Sequence, residues 1–275
     1  MNLNNKVSII TGGTRGIGKA IAIAFKKHGA KVIVASRHIG DEKDELDDSF
    51  VDLKIKTDVS VSKDIENLIK TVKEKFNKID IFVNNAGVSS IGRIWEISEE
   101  DFDWNYSVNT KGVFLCSKEV APIMINQKSG CIINIASRAG KVPVKFQGHY
   151  GATKAAVISL TRNFAYELAP YGVRVNAICP GKTDTGMIRS EWEEEVLLRN
   201  QTVEQIEQEA VSQIPMGRLV LPEDVANVAI FLASDYSSAM TGQSINVTCG
   251  SEMRWNIYKK GDGKLKLYKI FCTTI

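Results

Sequence analysis

Histidine is scarce in this chain, three among 275 residues, and the five cysteines (Cys116, Cys131, Cys179, Cys249 and Cys272) stand far apart. No two cysteines form a C-x-x-C pair and none joins a histidine at ligand spacing, which argues against a zinc site and against a disulfide-stapled scaffold. The thiols are expected to be reduced, with Cys131 and Cys179, in or beside apolar runs, buried for structural reasons. The acidic run SEWEEE at 190–195 is too unevenly spaced for a metal site and reads as a solvated helix face, so no metal is expected.

Long apolar runs are also missing. None approaches the roughly 20 residues that cross a bilayer, and MNLNNKVSII lacks the charged-then-apolar layout of a secretory leader. The expectation is a cytoplasmic protein that does not engage a membrane. Charge of one sign is not in excess either, at a formal +3. Residues 251–275 hold six cations (Arg254, Lys259, Lys260, Lys264, Lys266, Lys269) against Glu252 and Asp262, which leaves the first 250 residues at −1. A near-neutral body argues against nucleic acid as a partner.

What remains is ordinary globular composition, 44% apolar and 24% charged. Short β-branched runs at 6–11, 31–35, 53–57, 79–83, 131–135, 173–178 and 244–247 read as strands, several of them apolar throughout, as a sheet covered on both faces requires. Between them, Ile65, Leu68, Ile69, Val72 and Phe76 recur at helical spacing, and segments 17–28, 101–126, 150–169 and 222–234 behave alike, the last opening on Pro222, Glu223 and Asp224. Strand and helix in alternation predict an α/β fold, one doubly wound (Rossmann-like) domain over residues 1–250 with a seven-stranded parallel sheet and helices on both faces. Residues 251–275 read as a basic appendix with a GDGK turn at 261–264, either a short strand pair or loose chain.

The first strand runs directly into TGGTRGIG, Thr11 to Gly18. Glycines at 12, 16 and 18 let the main chain turn tightly, approach a pyrophosphate and pack the next helix close, while that helix directs free N–H groups and its positive end at the phosphates. Alone, such a turn could be merely structural. Further on stand NNAG at 84–87, Asn109 in SVNTKG, Ser137, thirteen residues before Tyr150, the Y-x-x-x-K of Tyr150 and Lys154, and Pro180-Gly181 before Thr183 and Thr185. In this order and over residues 5–250, these motifs resemble the short-chain dehydrogenase/reductase family.

The resemblance implies an NAD(P)-dependent oxidoreductase moving hydride between a nicotinamide and a hydroxyl or carbonyl carbon of a small substrate, with Asn109, Ser137, Tyr150 and Lys154 as the proton-transfer set. Tyr150 and Lys154, at i and i+4, lie on one helix face; seen alone they could be a surface pair, but an ammonium beside a phenol, together with an oxidised nicotinamide, is expected to lower the phenol's pKa from about 10 into a usable range. By the resemblance Ser137 holds the substrate oxygen, Lys154 also binds the nicotinamide ribose, and Asn109 fixes a water behind Lys154. A local backbone bond is the alternative for Asn109.

Cofactor contacts follow in the same way. Thr11, Gly12, Thr14, Arg15, Gly16, Ile17 and Gly18 form the phosphate turn. Asp58 and Val59 border the adenine, with Asp58 alternatively a helix cap; Asn85, Ala86 and Gly87 line the ribose side; Ile17, Pro180, Gly181, Thr183 and Thr185 enclose the nicotinamide end. After the second strand, where a carboxylate would select NAD, stand Ser36 and Arg37, so NADP is the preferred cofactor and NAD the possible one. Gln147 is a candidate substrate contact beside Ser137 and Tyr150. His28 and His38 read as surface residues, and His149 as a weaker candidate than Gln147.

Two departures from the family stand out. HIGDEKDELDDSFVD, between strands two and three, lacks a helix stripe and is expected to leave the adenine edge more open, and Cys249 in VTCG occupies a position where glycine is usual, so either strain at positive φ or a different turn is expected. SRAGKVP and GQSINVT look similar to sugar, polyol and acetoin dehydrogenases, with 186–213 as the lid that selects substrate. The favoured substrate is therefore a sugar, polyol or related alcohol, against a 3-oxoacyl carrier-protein reductase and, from another class, a non-catalytic dinucleotide-binding regulator. The long helices 101–126 and 150–169, with excess apolar content in VFLCSKEVAPIMI, predict a homotetramer, with dimer as the alternative.

Overall fold

The computed structural model describes residues 1–252 and, beyond them, the strands Ile257–Lys259 and Leu265–Leu267. In chain order the elements are β1 (Val7–Thr11), α1 (Gly16–Lys27), β2 (Lys31–Ser36), β3 (Leu53–Lys56), α2 (Ser62–Phe76), β4 (Ile81–Asn84), α3 (Glu99–Tyr106), α4 (Gly112–Gln127), β5 (Gly130–Ile135), α5 (Gly148–Leu168), β6 (Val173–Pro180), α6 (Gly186–Arg199), α7 (Val203–Ser212), α8 (Pro222–Ala233) and β7 (Ser244–Val247). The seven strands pair in the order β3-β2-β1-β4-β5-β6-β7, all parallel. The tail strands form a separate antiparallel pair, the first of the two alternatives for that segment.

Consecutive strand residues point to opposite faces, and both faces are apolar. Ile10, Val34 and Ile133 face Ile21 and Phe25 of α1 and Val225, Ala229 and Ile230 of α8. Ile9, Ile33 and Ile132 face Leu68 and Val72 of α2, Val120 and Met124 of α4 and Leu168 of α5. Because β1 is followed by β2 and β3 on one side while β4 starts the other, the order reverses between β1 and β4, and a crevice opens at the carboxyl ends of the strands there. No helix among the described residues is long and apolar enough to cross a membrane.

Four details differ from, or add to, what the pattern predicts. The stretch 101–126 is two helices joined by a π turn, Ser107–Lys111, with Asn109 at its centre. The lid segment is two helices, α6 and α7, packed on a small cluster of their own through Ile188, Trp192, Ile206 and Ala210. The loop after β2 holds one 3₁₀ turn, Asp48–Phe50, and no helix longer than that. It folds back, with Glu45 N–H donating to Thr14 O (3.1 Å), Leu46 buried and Lys54 Nζ bonding Asp44 Oδ2 at 3.0 Å. Cys249 does take positive φ, +50°, directly before Gly250 at +89°.

Candidate active site

The turn after β1 is shaped by close approach. Gly12 has φ +63°, and a Cβ there would lie 2.9 Å from Ala86 Cα; a Cβ on Gly18 would lie 2.3 Å from Gly12 O. Thr11 braces the turn from below, its hydroxyl accepting the N–H groups of Asn85 (3.0 Å) and Ala86 (3.1 Å). Asn85 Nδ2 donates to the carbonyls of Thr11 and Gly12, each at 2.9 Å. The first turns of α1 and α6 carry neither an acidic residue nor a capping side chain. Both helices therefore present free N–H groups and a positive end, the arrangement that receives an anion.

These elements wall one cavity of about 630 Å³. Of the residues singled out above, Gly12, Thr14, Arg15, Gly16, Ile17, Ser36, Arg37, Asp58, Val59, Asn85, Ala86, Gly87, Ser137, Gln147, Tyr150, Lys154, Pro180, Gly181, Thr183 and Thr185 line it. Thr11 and Gly18 do not; they hold the turn from behind. Asn109 also lies behind the wall. Asp58 lines the cavity but does not cap α2, whose N-cap is Val61 without a capping side chain; its Oδ1 accepts Ser60 N–H at 2.9 Å in the turn before the helix.

At the β2 end, Ser36 is committed to the turn, with Oγ 3.2 Å from Thr14 Oγ1 and accepting His38 N–H at 3.1 Å. Arg37 is 43% exposed, with Asp58 Oδ2 3.9 Å from its Nη1, so its fork is not occupied by a bidentate partner. Glu45 lines this end too, but Lys19 Nζ stands 3.5 Å from it. His38 and His28 are half-buried rather than free surface residues: Nδ1 of His38 lies 2.9 Å from Asp41 Oδ2, and Nδ1 of His28 lies 2.8 Å from Ala24 O.

At the other end, α5 carries Tyr150 and Lys154. Lys154 is 4% exposed and its Nζ donates to Ile135 O at 3.0 Å, while lying 5.6 Å from the Tyr150 ring centre. Burial lowers its pKa to about 8. The phenol does not show the expected fall in the ligand-free protein. Burial pushes Tyr150 up, the nearby carboxyl of Glu191 adds to this, and Ser137 opposes it. Desolvation of a buried phenolate outweighs a cation whose own charge burial already disfavours.

Asn109 bonds distant main chain rather than the backbone of its own helix, with one local side-chain contact to Asn105 Oδ1 at 3.5 Å. Its Oδ1 accepts Val88 N–H and its Nδ2 donates to Val88 O, both at 2.8 Å, and Nδ2 reaches Thr153 Oγ1 at 3.2 Å. The π turn aims it there, and it clamps the chain after β4 to α5 beside Lys154. His149 is buried but turned from the cavity, with Nε2 2.8 Å from Ser90 Oγ.

The SEWEEE reading needs correction. Along α6 the buried residues are Ile188, Glu191, Trp192 and Glu195, an i, i+3, i+4, i+7 face, so two of these carboxylates point inward and line the cavity with Lys182. Glu195 is paired, its Oε2 2.6 Å from Arg199 Nε, although the N–H points off that line. Glu191 lies in no ion pair among the described residues, and burial raises it to about 7. Buried thiols follow expectation: Cys116, Cys131 and Cys179 are free and buried, and burial pushes Cys131 up to about 11; Cys272 lies outside the described residues.

The glycine cradle, two uncapped helix ends, a cation at the β2 end and a buried phenol–ammonium pair fit a dinucleotide. A family model described as enoyl-(acyl carrier protein) reductase matches residues 12–252. The 3-oxoacyl-[acyl-carrier-protein] reductase of Thermotoga maritima is 39% identical over 259 residues, covering 91% of this chain and 99% of that protein. Among solved structures, ligand-free aldohexose dehydrogenase of Thermoplasma acidophilum superposes with TM-score 0.83 at 34% identity, over 94% of this chain and 98% of that one. The 3-ketoacyl-(acyl-carrier-protein) reductase of Brucella melitensis, complexed with NADH, gives 0.82 at 32% identity, over 92% and 100%.

Proposed function

The chain belongs to the short-chain dehydrogenase/reductase family and is an oxidoreductase acting on CH–OH and C=O groups with a nicotinamide cofactor, and from that premise we propose an NADP(H)-preferring dehydrogenase of small hydroxylated compounds, a sugar, polyol or related alcohol. The observation that carries this reading is the convergence of Ser137, Gln147, Tyr150 and Lys154 on one cavity at whose far end the residue directly after β2 is Arg37 and not a carboxylate.

In this reading Gly12, Thr14, Arg15 and Gly16 receive the pyrophosphate, Arg37 with Arg15 takes the 2′-phosphate, Asp58 and Val59 flank the adenine, and Pro180, Gly181, Thr183 and Thr185 flank the nicotinamide. When bound, the nicotinamide supplies or accepts the hydride. Ser137 positions the substrate oxygen, and Tyr150 Oη gives it a proton when a carbonyl is reduced or takes one when an alcohol is oxidised. With its pKa raised by burial, the phenol of the ligand-free protein is protonated at neutral pH and ready for reduction. Oxidation needs positive charge brought beside it, which Lys154 and an oxidised nicotinamide ring provide together. Asn109 holds the wall against which Lys154 lies.

A 3-oxoacyl carrier-protein reductase is the second reading, supported by the activity named for the Thermotoga maritima relative. A panel of sugars, polyols, alcohols and 3-oxoacyl thioesters, followed by reduced-nicotinamide absorbance with each cofactor, separates the two. Turnover confined to thioesters would overturn the first. We also infer a homotetramer assembled through α4 and α5, because Phe114 and Tyr166 on these helices, and Phe102 and Trp104 on α3, are exposed, and we propose the cytoplasm as its location.

A further inference from the structure

Glu191 projects from α6 into the reaction end of the cavity, 7% exposed, in no ion pair and in no hydrogen bond within 3.5 Å among the described residues. Its acidic neighbour on the same face, Glu195, is taken by Arg199. Across the cavity stand Tyr150, close enough to feel its charge, and Gln147, while Ser89 lies outside the lining; the polar groups of Gln147 and Ser89 favour its ionised form. Ser89 Oγ is itself buried without a partner. A carboxyl and an amide that line the cavity, and a hydroxyl behind them, therefore converge beside the phenol, with the charge of Lys182 favouring the carboxylate. A hydroxyl left unpaired costs free energy, and polar groups that face the cavity lose their water when a ligand enters, so a ligand that bonds them is favoured over one that does not.

We propose that Glu191, with Gln147 and Ser89, selects a substrate bearing a second hydroxyl next to the reacting carbinol carbon. The carboxyl accepts that hydroxyl while Ser137 and Tyr150 hold the reacting oxygen. An acyl chain placed here would bury the carboxyl against hydrocarbon, so the same group discriminates against apolar substrates. The inference rests on the polyol reading above and adds the residue that enforces it.

The test compares a vicinal diol with the mono-alcohol of the same skeleton, butane-2,3-diol against butan-2-ol and cyclohexane-1,2-diol against cyclohexanol, in the wild type, Glu191→Gln and Glu191→Leu, each with cofactor. In the wild type the diol is expected to have the higher kcat/KM. Glu191→Leu should collapse the diol-to-mono-alcohol ratio about 10- to 100-fold, chiefly through KM for the diol, with Glu191→Gln retaining most of it. Fluorescence titration with NADPH shows whether each variant still folds around its cofactor. Equal losses on both members of a pair, or an unchanged ratio, would overturn the role of Glu191 while leaving the polyol reading intact. A wild type that turns over thioesters alone would overturn both.

Discussion

At its β2 end the cavity is walled largely by main chain, the turn from Gly12 to Ile17 and the ends of β2 and β4, whereas at its Tyr150 end side chains of α5 and α6 reach in from helices. At Gly12 and Gly18 the first wall and its support are held at contact distance by backbone, so a side chain cannot be added there. The second is a set of separate groups, each replaceable without moving the sheet. A nucleotide shared by many enzymes suits the first kind of wall, and a substrate that differs from one enzyme to the next suits the second.

Breaking the main-chain wall should have the largest effect. Gly18→Val places carbon against Gly12 O, where even a Cβ would lie at 2.3 Å, and is expected to abolish measurable NADPH binding by fluorescence titration; retained affinity would mean that the turn has slack. Next comes Arg37, a single side chain attached to that wall. Arg37→Ala should weaken NADP(H) about 10- to 150-fold and leave NAD(H) nearly unchanged, as read by dissociation constants for both; equal losses would place the 2′-phosphate elsewhere.

The side-chain wall can be sharpened through proton linkage. Burial depresses Lys154 to about 8 from an ordinary value near 10.5, so between these values the unfolded chain binds more protons than the folded one and stability gained from this group rises with pH. Below about pH 8 the full penalty applies. Tyr150, whose pKa is raised, acts in the opposite direction above about pH 10. Ligand-free Lys154→Met is therefore expected to melt higher than the wild type at pH 7, with the difference shrinking toward pH 10 in calorimetry; a constant difference would assign it to packing. The smallest effect on chemistry is expected outside both walls. Phe114→Glu, 6.3 Å in ring contact from Phe164 on the exposed α4–α5 face, should lower the mass seen by light scattering from tetramer toward dimer with the cofactor site intact, and a monomeric wild type at micromolar concentration would contradict that interface.

The same division explains what could be read from the residues alone. Main-chain sites leave a mark, because a chain that must turn at Gly12 and touch backbone at Gly18 admits only glycine, and buried strands admit only β-branched runs. Tyr150 and Lys154 are marked by their i, i+4 spacing. Glu191 and Glu195 escape because hydropathy assigns a glutamate to solvent, although Ile188 and Trp192 at helical spacing carry the signal that the same face turns inward. The folding back of the loop after β2 was equally hidden. It depends on Glu45 and Asp44 meeting Thr14 and Lys54, partners distant in the chain.

Tyr150→Phe tests the central claim most directly, because it removes one proton donor and leaves the ring, both walls and the cofactor turn in place. With a substrate identified from the panel, single-turnover hydride transfer should fall at least about 100-fold while the NADPH dissociation constant stays within about two-fold. A variant that keeps most of the wild-type rate would contradict the assignment of proton transfer to this phenol.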